Sequence, residues 1–236
     1  AIIPCLPLIK LRNIGCYFQF TLNDYDAERL EPNVPLLKKR IETFKQIVDI
    51  LGKGSVILRF DPLILTDRIS ADDLIYKIEN IADQLNGYVE KLVFSFADIT
   101  TYKKVSRNLS AAGINYREWT ESEMLDFAQR LSAMNLGLEL ATCAENIDLS
   151  RFGINHNRCI DPDLICRLAP ELQNEISSLK TDKGQRTLCG CITSKDIGSY
   201  NTCPHGCPYC YANTSPNSAR QNYLSHKQRP DKDSII

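Results

Sequence analysis

Residues 34–62 read VPLLKKRIETFKQIVDILGKGSVILRFDP, and this stretch decides the fold. Apolar side chains fall at Leu37, Ile41, Phe44, Val48 and Leu51, the spacing of one helical face. Gly52 and Gly54 stop that helix, and residues 55–60 return to a β-rich run before Asp61-Pro62. The unit is a helix feeding a strand, and it recurs on both sides. Upstream, residues 17–22 are aromatic and β-rich and close at Asn23 and Asp24. Downstream, a helix after Ser70 aligns Leu74, Ile75, Ile78, Ile81 and Leu85, and residues 91–96 form the next strand. Two helical stretches follow, around 102–112 and after the capping box Thr120-Glu121-Ser122-Glu123, before a strand at 138–141.

Strands separated by helices of this length imply parallel pairing through right-handed crossovers. Four units are clear, whereas a complete eight-unit barrel takes about 250 residues. The expected fold is therefore α/β, a partial (β/α) TIM-like barrel over residues 1–186. Beyond residue 150 the pattern weakens. Residues 161–168 suit a short helix, and 174–185 are polar and exposed. Residues 187–223 form a cysteine-rich segment, and 224–236, rich in Lys, Arg and Asp, read as a disordered tail.

With 236 residues, 43% apolar and 24% charged, the chain has the composition of a globular protein able to bury a core. A net charge of −1 gives no basis for a nucleic-acid partner. No apolar run approaches the roughly 18 residues that span a bilayer, so no membrane partner and a cytoplasmic location are expected. The chain starts at Ala1 with an apolar segment, which suggests a fragment or a processed chain.

Polar residues stand where each strand ends, the place at which a barrel builds its site. They are Gln19, then Arg59 and Asp61, then Ser95 and Asp98, then Thr142, Cys143 and Glu145. Arg59, Asp61 and Asp98 are candidate catalytic or substrate contacts, and Gln19 and Glu145 candidate cofactor contacts. A local Arg59–Asp61 ion pair, with Asp61 and Asp98 simply opening turns, accounts for the same residues.

Ten cysteines are many for a chain of this size, and their distribution is uneven. Cys5, Cys16, Cys143, Cys159 and Cys166 are scattered, whereas Cys189, Cys191, Cys203, Cys207 and Cys210 fall close together. Clustering of this kind indicates a metal site in a reducing compartment rather than a disulfide framework. Cys203, Cys207 and Cys210 have the spacing C-x3-C-x2-C, and soft thiolates suit iron–sulfur clusters and zinc. Pro204, Gly206 and Pro208 exclude a helix and permit a tight wrapping loop. Three thiolates leave one iron of a four-iron cluster without a protein ligand.

C-x3-C-x2-C with aromatic Tyr209 just before the last cysteine resembles the radical S-adenosylmethionine superfamily. The resemblance implies a 4Fe-4S cluster on Cys203, Cys207 and Cys210, with S-adenosylmethionine on the open iron and Tyr209 near its adenine. It also implies an unknown small-molecule substrate and a reductant of the flavodoxin or ferredoxin kind. In the superfamily the motif follows the first strand, whereas here it follows every visible strand. A circularly permuted barrel, with residues 191–197 as the strand feeding the loop, reconciles the two orders. A resemblance over most of the chain is carried by residues 17–23, Arg59-Phe-Asp-Pro62, Cys143-Ala-Glu145, Cys159-Ile-Asp161 and Asp196-Ile-Gly198. These look like the uncharacterised bacterial family labelled domain of unknown function, number eighteen forty-eight. Members normally begin with a further strand-rich segment, which implies N-terminal truncation here.

Cys189 and Cys191 are surplus to the three-cysteine site. With Cys143 and Cys159 they would make a second four-thiolate site for zinc or an auxiliary cluster. Buried Cys143 and Cys159 serving as small packing residues is the plain alternative. Cys5, Cys16 and Cys166 are expected in packing. His205 either tunes the cluster or is exposed, His156 and His226 are expected at the surface, and Trp119 is expected as a staple or packing residue. Three functions follow in order: a radical enzyme, an electron-transfer or redox-sensing protein with Cys191 as a fourth ligand, and a structural zinc domain.

Overall fold

The computed structural model describes residues 2–186 and 188–231. A short helix α1 (Leu6–Leu11) leads to β1 (Phe18–Thr21), α2 (Leu37–Leu51) and β2 (Val56–Leu63). Then come β3 (Leu65–Thr66), α3 (Ala71–Gln84), β4 (Lys91–Phe96), α4 (Lys103–Ala111) and β5 (Tyr116–Arg117). The chain continues through α5 (Glu121–Ala133), β6 (Glu139–Thr142), β7 (Asn155–His156), α6 (Pro162–Leu168), α7 (Gln173–Ser178) and α8 (Pro216–Gln228). The expected α/β class is observed.

Five strands form one parallel sheet in the order β1-β2-β4-β6-β7. The order follows the chain, and the sheet is open: among the described residues β1 and β7 each pair on one side only. β3 and β5 form a separate antiparallel pair that gives no sequence signal, because two residues cannot establish a period. β7 is missed for the same reason.

Alternation along the strands sorts the two faces of the sheet. Val56, Leu58 and Phe60 of β2 and Leu92 and Phe94 of β4 join the main core. Ile41, Phe44 and Ile47 of α2, Ile78 and Ile81 of α3, and Phe127 and Leu131 of α5 pack in that same core. Ile57, Val93 and Ala141 point the other way, and Leu164 of α6 covers them. Burial on both faces explains why β2 and β4 read as continuous apolar runs. Trp119 is buried against Phe96 and Phe127 and donates from Nε1 to the Leu63 carbonyl at 2.9 Å.

The capping boxes form as their residues dictate. Asp73 N–H bonds Ser70 Oγ at 3.2 Å and Ser70 N–H bonds Asp73 Oδ2 at 2.8 Å; Thr120 and Glu123 do the same for α5. Three expectations are corrected. Residues 191–197 do not form a strand; an isolated bridge between Thr181 and Ile192 is all that pairs there among the described residues. The supposed tail begins as helix, because α8 is capped by Ser215 and runs to Gln228, whereas residues 232–236 of that segment lie outside the described residues, as does residue 187. Cys5 is exposed rather than packed.

Candidate functional site

The polar strand ends meet over the carboxyl edge of the sheet. Arg59 pairs with Asp61, with Nε to Oδ2 at 3.1 Å, and its Nη1 reaches Gln19 Oε1 at 3.4 Å. Ser95 Oγ donates to the other oxygen of Asp61. The ion pair expected between neighbours therefore exists, but it sits inside a larger network. Glu145 turns back toward β4 after Ala144, whose φ of 53° is in the left-handed region, and accepts the Phe96 N–H at 2.9 Å. Burial raises the Glu145 carboxyl to about 7, with Asp61 and Cys143 adding to the shift. Asp98 accepts the Thr101 N–H and hydroxyl and so holds a turn, as its plainer reading has it.

Asp61, Ser95, Asp98 and Glu145 line a cavity of about 650 Å³, and Cys207 and Cys210 line its other wall. The cysteine loop is docked there by residues with no motif. Asn33 Nδ2 donates to the His205 carbonyl at 3.0 Å, and His205 Nδ1 lies 2.8 Å from the Asn33 carbonyl. Tyr209 donates its hydroxyl to Glu31 Oε1 at 2.6 Å and stands edge-on to Tyr25. Asn23 Nδ2 contacts Glu31, the Tyr209 hydroxyl and the Asp61 carbonyl, while its Oδ1 accepts the Asp61 N–H. One asparagine thus ties the loop to the strand that carries Arg59 and Asp61. Arg40 faces Glu31 at 3.3 Å, both almost fully buried. The sequence reading took Asn23 only as the close of a strand and passed over Glu31 and Arg40, whose charge pair becomes a signal only once burial is known.

Within the loop, Gly206 has φ +70°, Cys210 N–H bonds the Cys207 carbonyl at 3.0 Å, and Asn213 holds the Cys203 carbonyl. Burial pushes the Cys207 thiol up to about 12, and Glu31, Cys203 and Cys210 contribute. The buried surroundings of Cys207 thus disfavour a bare thiolate there. A positively charged inorganic centre reverses that penalty, so these donors fit the group implied for them. Among the described residues, no three His, Cys, Asp or Glu side chains converge closely enough to hold a single ion.

The model of a family described as Domain of unknown function (DUF1848) matches residues 1–212, a span that takes in the cysteine loop. The chain belongs to this family. No curated protein and no solved structure matches it. No helix among the described residues of this DUF1848 member is long and apolar enough to cross a membrane.

Four further thiols of this DUF1848 chain gather near the sheet face that carries Ile57, Val93 and Ala141. Cys143 and Cys159 stand with their sulfurs 3.7 Å apart, and Arg59 Nη1 approaches Cys159 Sγ to 3.1 Å. Cys191 is buried, and its sulfur accepts the N–H groups of Cys159 at 3.1 Å and Ile160 at 3.3 Å. Cys189 lies beside Cys191 and raises its pKa, after burial. The four residues expected to form a second centre are therefore neighbours, arranged as one sulfur–sulfur contact and one backbone-bonded sulfur. Arg186, which the sequence reading passed over, lines the large cavity and donates to the Tyr102 hydroxyl at 3.1 Å. Tyr102 stacks on Tyr211 beside it.

Proposed function

We propose that this chain is an iron–sulfur enzyme of the radical S-adenosylmethionine type, acting on a small molecule held in the 650 Å³ cavity. The observation that carries the reading is the shared wall: Cys207 and Cys210 face the same space as Asp61, Ser95 and Glu145. Cys203, Cys207 and Cys210 would hold the cluster. Each of the three would bind a different iron, so the donors need spacing around a cluster rather than convergence on a point. When bound, the cluster would supply one electron to cleave S-adenosylmethionine and so start hydrogen abstraction from the substrate.

The chain's own residues have separable tasks. Glu31, Asn23 and Asn33 hold the loop against the sheet. Glu145, raised by burial to about 7, exchanges a proton near neutral pH at the cavity wall. Asp61, held by Arg59 and Ser95, offers a fixed acceptor to a substrate hydroxyl or ammonium group. We read the open sheet as a partial barrel, because its strands follow chain order and its inner face carries the polar network.

The test is reconstitution of the full chain with iron and sulfide without oxygen, followed by electron paramagnetic resonance after reduction. The expected result is a cluster signal that changes on adding S-adenosylmethionine and is absent from Cys207→Ala. A signal indifferent to S-adenosylmethionine would mean electron transfer instead. One tightly held zinc per chain and no cluster would mean a structural site.

A further inference from the structure

The sulfurs of Cys143 and Cys159 lie 3.7 Å apart at the ends of two paired strands, with a guanidinium on one of them. β6 and β7 pair Thr142 with His156, and Asn157 N–H continues the ladder onto the Thr142 carbonyl at 2.6 Å. The chain ends leaving this ladder bring the two cysteines together just beyond it. Tyr17 fixes the Cys159 backbone by accepting the Asp161 N–H and donating to the Cys159 carbonyl at 2.6 Å. A disulfide needs the sulfurs at about 2.05 Å, a change within reach of side-chain rotation. Asn157 Nδ2 lies 3.7 Å from Cys159 Sγ on another side. A sulfur already facing a guanidinium is poorly placed to take a metal dication as well, since the two cations repel.

We propose that Cys143 and Cys159 form a redox-active dithiol that exchanges with a charged low-molecular-weight disulfide. Cys159 is the attacking sulfur and Cys143 the resolving one. The Arg59 guanidinium, 3.1 Å from Cys159 Sγ, stabilises a thiolate there, and Cys143 Sγ stands 3.7 Å away to resolve the adduct. A second hollow of about 440 Å³ lies next to the pair: two of its lining residues, Gln19 and Asn157, touch Arg59 and Cys159. Its wall carries both signs, with Lys91 on Glu139 at 3.0 Å and Arg158 on Asp161 at 2.9 Å, as suits a disulfide bearing ammonium and carboxylate groups.

The balance closes without another reactant. Cys159 thiolate attacks one sulfur of RSSR, the S–S bond breaks, and the first RS⁻ leaves and takes a proton. Cys143 then attacks the Cys159 sulfur, the mixed disulfide breaks, and a second RSH leaves. Two thiols have lost two electrons and two protons, and one small disulfide has become two thiols.

The test uses the full chain, reduced and kept from oxygen, with oxidised glutathione as the probe. Peptide mapping after alkylation should find a Cys143–Cys159 disulfide and two glutathiones released per chain. Cys143→Ser should stop at a glutathione adduct on Cys159, and Arg59→Gln should slow the first attack on the order of tenfold, as loss of a charged hydrogen bond implies. Wild-type chain with its disulfides elsewhere, or with none, overturns the proposal whatever the variants do. So does wild-type chain whose Cys143 and Cys159 resist alkylation until a chelator removes zinc, since that is a second metal centre. Cluster uptake on Cys203, Cys207 and Cys210 is read separately by iron content, so this result and the radical-enzyme reading stand or fall apart.

Discussion

At the scale of single residues, a few buried polar groups position the site. Glu31 and Arg40 are almost fully buried, with side chains 3% and 8% exposed, so removing one strands the other in a low dielectric. Arg40→Ala should therefore cost about 3 kcal/mol in urea unfolding, more than Tyr209→Phe, which removes one hydroxyl at about 1–2 kcal/mol. The Tyr209 variant should also loosen the cysteine loop, read as faster alkylation of Cys207. Glu145 gives a pH signature. Burial raises its carboxyl from 4.5 to about 7, so the folded state holds this proton more tightly than the unfolded chain. Its contribution is fully present below pH 4.5 and is lost as pH rises toward 7. Glu145→Gln should flatten the fall in stability across that window, measured by urea melts at several pH values. An unchanged slope would show that another group titrates there.

Elements formed where local chemistry and burial agree. The helix over 34–51 and the strands at 55–60, 91–96 and 138–141 were legible because each carries a period and a stop signal. The α5 capping box was legible from four residues, and both of its bonds are present. Thr120→Ala should cost about 1 kcal/mol, seen as a lower urea midpoint with an unchanged slope. β3, β5 and β7 were not legible, because two-residue strands exist through their partners and not through propensity. The expected strand at 191–197 failed for a related reason. Asp182, Ile192 and Thr193 donate backbone bonds there, but among the described residues the rest of the segment bonds to no neighbouring strand.

Across the whole molecule, stability should follow burial. β2 and β4 are covered on both faces, so their amides should exchange slowest with deuterium, while residues 193–200, mostly exposed and outside any element, should exchange first. Comparable protection of the two regions would contradict the two-faced core. The amino-acid sequence by itself determined the α/β class, the parallel strands, the helix boundaries set by caps and glycines, and the three-cysteine loop with its spacing. These are local properties, carried by period, turn chemistry and ligand type. The tertiary structure alone decided that the loop returns to the strand ends through Asn23, Glu31 and Asn33, and that Cys143 meets Cys159 beside Arg59. Those contacts join residues up to 186 positions apart, and no local pattern encodes which distant side chains a packed core brings together.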